Sequence, residues 1–232
     1  MELAGSRFLV AGATGFLGER IAAALAGMGA ELAVAGRDRE ALSVSASRLG
    51  APAILLDFSE PGSGRDAVNS AVSELGGLDG VFIATGAVAF GRAGEIEPEI
   101  ESQLMMINAT GPMELISAAL EEISPGGAVA AITAVVAEYP TAGMAAYSAS
   151  KAALASYLTA LRRERRKELS SVLEVSPGHM ETGFAERALA GEPPPLPEGA
   201  DPDRLIETAL TALADGRREV RYDLKSRELQ VK

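Results

Sequence analysis

The chain has 232 residues, 47% of them hydrophobic, with 32 acidic against 21 basic residues and a net charge of −11. That length suits one domain with a full core, and the composition is that of a globular protein rather than a disordered or membrane one. The negative charge argues against a nucleic-acid partner, and the lack of cysteine excludes disulfides, thiolate metal sites and a cysteine nucleophile.

The amino terminus, MELAGSRFLV, carries no basic leader or cleavage pattern, so nothing marks the chain for export and a cytoplasmic location is expected. From Phe8 to Ala11 a short apolar run suits a strand buried on both faces. Gly12, Gly15 and Gly18 follow at equal spacing, and Leu17, Ile21, Leu25 and Met28 then fall at helical intervals. Strand, glycine turn and helix N-terminus together make an anion site. Backbone N–H groups and the positive end of the helix dipole point at a phosphate, and missing Cβ atoms let it approach. Gly12, Thr14, Gly15, Phe16, Leu17 and Gly18 are therefore the candidate dinucleotide-binding residues.

A second strand is expected at Glu31–Gly36 and a helix at Asp38–Leu49, with Asp38 as its N-cap. Strand two ends on Gly36 and Arg37 instead of a carboxylate. A carboxylate there would repel a 2′-phosphate, whereas a guanidinium suits one, so NADP(H) is preferred to NAD(H). Further strands are expected at Ala53–Phe58, Val81–Thr85, Ala128–Thr133, Val172–Ser176 and Glu219–Tyr222. Between them fall helices at Arg65–Leu75, Ile96–Ile123, Thr141–Leu169 and Asp201–Ala214. The longest apolar run, Ala128–Ala137, is too short to span a bilayer, so no membrane partner is expected.

This alternation implies an α/β fold. A Rossmann-like doubly wound parallel sheet of about seven strands, with helices on both faces, forms a single domain over 1–232. The one irregular stretch, 183–202, leaves strand six at the carboxyl end of the sheet, where ligands bind, and is expected to be a substrate lid. The basic cluster Arg162, Arg163, Arg165, Arg166 and Lys167 closes a helix and reads as a solvated helix end. The only histidine, His179, leaves a histidine metal site or a Ser-His-Asp triad poorly supplied, and no metal is expected.

Tyr147 precedes Lys151 by four residues, which on a helix puts both on one face. A nearby ammonium lowers a phenol's pKa, so the tyrosine can exchange a proton with an alcohol or ketone near neutral pH. With these residues the chain resembles the short-chain dehydrogenase/reductase family in its short single-domain form, over essentially residues 6 to 223. The resemblance rests on AGATGFLG at Ala11–Gly18, Asp57 after strand three, Gly86 ending LDGVFIATG, Asn108, YSASK at Tyr147–Lys151, and PGHMET with Pro177, Gly178 and Thr182.

The resemblance implies an oxidoreductase that interconverts a ketone and an alcohol. Tyr147 would carry the proton, Lys151 would hold the nicotinamide ribose, and Asn108 would order a water. Asp57 would contact adenine, and Gly86, Pro177, Gly178 and Thr182 would complete the cofactor site. Three departures stand out. Strand four ends Ile83-Ala84-Thr85-Gly86 where the family shows Asn-Asn-Ala-Gly. The evenly spaced glycines resemble the family's longer, sugar-nucleotide-modifying branch, although the roughly ten residues after the last expected strand leave no room for a sugar-binding domain and none is expected. The position of the family's catalytic serine is Ala134, which cannot hydrogen-bond a substrate oxygen. Thr133 supplies the neighbouring hydroxyl and is the candidate to replace it, although adjacent strand residues point to opposite faces. Turnover is therefore expected to be weakened, and a catalytically impaired NADP-binding protein of the same fold is the alternative. Val88, Phe90, Met144, Met180 and Phe184 suggest an apolar carbonyl or alcohol substrate. Ala149, Ala152, Ala153 and Ala155 suggest a homodimer or homotetramer through close helix contact.

Overall fold

The first strand, β1 (Arg7–Ala11), is buried on both faces from Phe8 onward, as a continuous apolar run in a parallel sheet requires. The computed structural model describes every residue from Met1 to Lys232. Helix α1 (Phe16–Gly27) lays Ile21, Ala22 and Leu25 on the sheet. Met28, assigned by periodicity to the same stripe, is 42% exposed because the helix ends before it. The remaining strands are β2 (Glu31–Gly36), β3 (Ala53–Leu55), β4 (Leu78–Ile83), β5 (Ile123–Ile132), β6 (Ser171–Ser176), β7 (Glu219–Asp223) and β8 (Glu228–Val231). The remaining helices are α2 (Arg39–Leu49), α3 (Ser63–Leu75), α4 (Pro98–Met105), α5 (Gly111–Glu122), α6 (Ala145–Glu164) and α7 (Pro202–Ala214).

The strand order is β3-β2-β1-β4-β5-β6-β7-β8. Every pairing is parallel except β7 with β8, which is antiparallel. Alternate residues of each strand face opposite layers. Phe8 and Val10 join α1, α2 and α7 in one apolar cluster, while Leu9 and Ala11 join α3, α5 and α6 in the other. Because these strands run parallel, the carboxyl ends of β1, β4, β5 and β6 lie at one rim, and the strand order reverses between β1 and β4, where such a sheet opens a crevice.

Several boundaries differ from the sequence expectation. To the about seven strands expected the sheet adds a short eighth, because Asp223 Oδ1 accepts the N–H groups of Lys225 (2.8 Å) and Ser226 (2.7 Å) and turns the chain back as β8. Strand β3 stops at Leu55, and Phe58 turns under α5, its ring occupying the space a Cβ on Gly111 would fill. Strand β5 begins at Ile123 and passes through Pro125. The register shifts between Leu78↔Ile123 and Gly80↔Ala128, so the proline and two glycines bulge out of the ladder. The long helix expected over Ile96–Ile123 is α4 and α5 joined by a π-helical segment at Met106–Thr110. Helix α6 is shorter at both ends than Thr141–Leu169. No helix is long and apolar enough to cross a membrane.

Candidate active site

The cleft begins at the glycine turn between β1 and α1. Gly12 has φ of +86°, and a Cβ there would stand 2.8 Å from the Thr85 backbone nitrogen, so only glycine lets the turn lie against the end of β4. A Cβ on Gly18 would stand 2.1 Å from the Gly12 carbonyl oxygen, which fixes the closeness of helix and turn. Gly15 caps α1 without a side-chain acceptor, and the N–H groups of Phe16, Leu17 and Gly18 find no acceptor elsewhere in the chain. Three convergent N–H groups at a helix N-terminus are a phosphate cradle.

Around this cradle, Thr14 packs against Gly36, where a Cβ would come within 3.0 Å of its Cγ2. Arg37 is exposed and belongs to none of the chain's ion pairs. Asp38 accepts the N–H groups of Glu40 and Ala41 at 3.0 Å, so it is the N-cap of α2. Asp57 accepts the Ser59 N–H at 2.9 Å through Oδ1.

The opposite wall is α6. Tyr147 and Lys151 are both buried, one turn apart on the same face. The Lys151 ammonium donates to the Ile132 carbonyl at 3.1 Å, at the end of β5. A Cβ built on Gly86 would lie 3.3 Å from Lys151 Nζ and 3.6 Å from the Phe184 ring, so Gly86 joins the cradle to this wall. The Phe184 ring is tilted 50° against Tyr147, with centroids 6.3 Å apart. Tyr147 and Ala134 belong to one apolar cluster with Val88, Ala89, Phe90, Leu104, Met144 and Ala185. Met180, expected at this mouth, instead packs in the layer of α1 and α7.

The expected electrostatics of the pair are corrected. Burial pushes the Tyr147 phenol up, above its ordinary value, instead of the lysine charge drawing it down. Burial also draws Lys151 down to about 8. Both groups are withdrawn from water, which disfavours phenolate and ammonium alike, and the Lys151 head is turned to a backbone carbonyl.

Asn108 sits fully buried in the π-helical segment, whose wider turn shifts its face relative to α4 and α5. Its Oδ1 accepts the Ala87 N–H at 2.9 Å, and its Nδ2 donates to the Ala87 carbonyl at 2.8 Å and to Ser150 Oγ at 3.0 Å. Both amide ends thus clamp the loop after β4, and both Nδ2 hydrogens have protein acceptors, a different use of this side chain from holding a water. Leaving this buried amide unpaired would cost about 1–3 kcal/mol. Ser150 relays the clamp by donating to the Tyr147 carbonyl at 2.8 Å.

Thr133 is buried, but its hydroxyl donates to Glu174 Oε1 at 2.9 Å. Its proton is therefore committed to a neighbouring strand, and Thr133 does not replace the hydroxyl missing at Ala134. Beyond β6, the Pro177 carbonyl accepts the Val135 N–H at 2.9 Å, and Gly178 approaches Tyr222 so closely that a Cβ would stand 2.6 Å from its ring. The Thr182 N–H donates to the Met180 carbonyl at 2.9 Å, and Ala200 donates to the His179 carbonyl at 2.8 Å. The stretch 183–202 holds one short 3₁₀ turn at Ala185–Arg187. It is pinned to the pocket wall by Leu189 N–H to the Val88 carbonyl (2.8 Å) and Phe90 N–H to the Ala190 carbonyl (2.9 Å).

Two groups at the site were not singled out from the sequence. Thr85 Oγ1 is buried without a hydrogen-bond partner beside the glycine turn, and Ser150 links Asn108 to the tyrosine's helix. The substitution of a hydroxyl residue into the strand-four ending was the available signal for Thr85. Ser150 lies inside YSASK, but nothing in its spacing distinguishes it from Ser148.

A family model described as short chain dehydrogenase matches residues 7–193. An uncharacterized oxidoreductase of Methylorubrum extorquens is 30% identical over 197 residues, covering 82% of this chain and 79% of its own. A dehydrogenase/reductase from Sinorhizobium meliloti superposes with a TM-score of 0.81 at 25% identity, over 93% of this chain and 91% of the other. A blue fluorescent protein from a metagenomic library, solved in complex with NADPH, superposes equally well at 25% identity, over 93% and 94% of the two chains.

Proposed function

Since the chain belongs to the short-chain dehydrogenase family, we propose that it is an oxidoreductase that uses NADP(H) in preference to NAD(H) and interconverts a ketone and an alcohol. The observation that carries this reading is the burial of Tyr147 and Lys151 on one face of α6, beside Gly86, where the phosphate cradle meets the apolar pocket.

The residues present fit a phosphorylated dinucleotide. The unpaired N–H groups of Phe16, Leu17 and Gly18 and the orphan Thr85 hydroxyl supply donors, and Gly12 and Gly18 leave room for close approach. The 2′-phosphate would lie on Arg37, the adenine by Asp57, the nicotinamide ribose on Lys151, and the nicotinamide end along Pro177, Gly178 and Thr182. When bound, the cofactor supplies or accepts the hydride. Tyr147, held protonated by burial, gives its Oη proton to the substrate oxygen in reduction and takes it back in oxidation. Lys151, donating to the Ile132 carbonyl, ties the tyrosine's helix to the end of β5. Asn108 and Ser150 hold the β4 loop and the tyrosine's helix in register. Val88, Phe90, Met144 and Phe184 favour an apolar substrate, and 183–202 covers it as a lid.

The NADPH-bound metagenomic neighbour supports the cofactor class. Ala134 supports a second reading, a cofactor-binding protein with little catalysis, because the neighbouring Thr133 hydroxyl is committed to Glu174. Assaying NADPH oxidation against a panel of aromatic and aliphatic ketones separates the two. The enzyme reading expects slow, measurable turnover of at least one apolar ketone. Tight NADPH binding with no turnover across the panel would overturn it in favour of the second.

A further inference from the structure

At the amino end of the sheet, away from the cleft, lies a groove of about 550 Å³. It runs between the last turns of α6, the start of β6 and the turn from α7 into β7. Arg162, Arg163, Arg165, Arg166, Arg217 and Arg218 line it, and no carboxylate does. This is a dense cationic surface in a chain of net charge −11. The helix end explains only part of it. Cations in the last turn of α6 complement its dipole, but Arg217 and Arg218 follow the end of α7, so two separate segments converge on the groove.

Few of these charges are neutralised within the chain. Arg165 pairs with Glu168 at 2.5 Å, whereas Arg163, Arg166, Arg217 and Arg218 belong to no ion pair. Arg162 is half-buried and held in place, its Nε donating to the Val172 carbonyl and its Nη2 to the Arg218 carbonyl, both at 3.0 Å. Burial draws the Arg162 guanidinium below its ordinary value, with Glu174 and Glu219 partly offsetting that and Arg218 adding to it. The turn is itself fixed, since Ser171 Oγ donates to the Arg217 carbonyl at 2.8 Å and the Arg218 N–H donates to the Lys232 carbonyl at 2.7 Å. The site is therefore a concave floor fixed by Arg162 and the α7–β7 turn, rimmed by the exposed side chains of Arg163, Arg166, Arg217 and Arg218.

We propose that this groove binds a small anion carrying two or more phosphoryl groups. Guanidinium forks match phosphoryl oxygens in pairs, and several together favour a multiply charged ligand over a single carboxylate. No aromatic ring lines the groove, so there is no stacking platform for a base or sugar, and the phosphoryl groups carry the recognition. Its volume is that of a small-molecule site. A duplex or a membrane surface would call for a broad basic face, which the overall charge opposes. The six residues of β6 separate the groove from the cofactor end by about 20 Å, so the two sites can fill independently.

The test is calorimetric titration of sodium tripolyphosphate into NADPH-saturated protein at two salt concentrations. Tripolyphosphate lacks an adenosine, and NADPH keeps the α1 cradle occupied. The expected result is one saturable site that weakens with salt. Two double variants on separate segments, Arg163→Ser with Arg166→Ser and Arg217→Ser with Arg218→Ser, should each lose at least about tenfold in tripolyphosphate affinity. NADPH affinity and thermal midpoint should stay unchanged in both. The proposal is overturned by no saturable binding to wild type, or by wild-type affinity in both variants. Tighter binding to phosphatidylglycerol vesicles or to duplex DNA than to tripolyphosphate would overturn it too.

Discussion

The two walls of the proposed cleft offer a ligand different kinds of group. At the glycine turn the working groups are backbone N–H donors, and the side chains matter chiefly by being absent, as at Gly12 and Gly18. On the α6 wall the working groups are side chains, Tyr147 and Lys151, whose behaviour is set by burial. The first wall keeps its glycines in an evenly spaced turn, and the second carries Ala134 where the resemblance leads one to expect a hydroxyl. Backbone recognition depends on a few permitted geometries, while proton transfer depends on single atoms that one substitution removes.

The contrast is broken most sharply at Tyr147. Tyr147→Phe should lower turnover at least about a hundredfold while leaving NADPH affinity nearly intact, because it removes the acid but nothing from the cradle. Steady-state kinetics with parallel fluorescence titration checks this. Equal turnover in the variant would put the proton donor elsewhere.

A smaller effect is expected at Arg37, the exposed guanidinium proposed to meet the 2′-phosphate. Arg37→Ala should weaken NADPH by roughly tenfold and leave NADH unchanged, and the loss should shrink as salt is raised. An unchanged preference between the two cofactors would remove Arg37 from the site.

Lys151 tests the burial of the α6 wall through stability. Its folded pKa is drawn from 10.5 to about 8, so between those values the unfolded chain holds a proton that the folded chain has released. The unfolded state then binds more protons, and this group's contribution to stability rises with pH across that window. Denaturant titrations of wild type and Lys151→Met should diverge in favour of wild type between about pH 8 and 10, by roughly 3 kcal/mol at most. A pH-independent difference would mean that the ammonium stays solvated.

The alternation of apolar runs made the parallel sheet and the glycine turn legible, because strand burial and helical spacing are local patterns. Long-range causes explain what was not. Strand β5 runs through Pro125 because a bulge takes the proline out of the ladder. β8 exists because Asp223 folds a polar turn. The π-helical turn at Asn108 has no periodic signature, and its purpose shows only in the bonds to Ala87. The spacing of Tyr147 and Lys151 places them together, but spacing carries no information on burial, which reversed the expected shift of the phenol. In the same way the Thr133 hydroxyl was visible, while its partner Glu174 lies on another strand.

The central claim, that this wall is a proton-transfer site lacking one hydrogen-bond donor, is tested most directly by Ala134→Ser. Losing one preorganised donor to the substrate oxygen typically costs about 2.7–4 kcal/mol in the transition state. Single-turnover NADPH oxidation with an apolar ketone, measured at saturating cofactor in wild type and Ala134→Ser, isolates that donor from binding. The account predicts a rise of roughly tenfold or more in the serine variant, with NADPH affinity unchanged. A wild type that is already fast, with no gain from the serine, would contradict it.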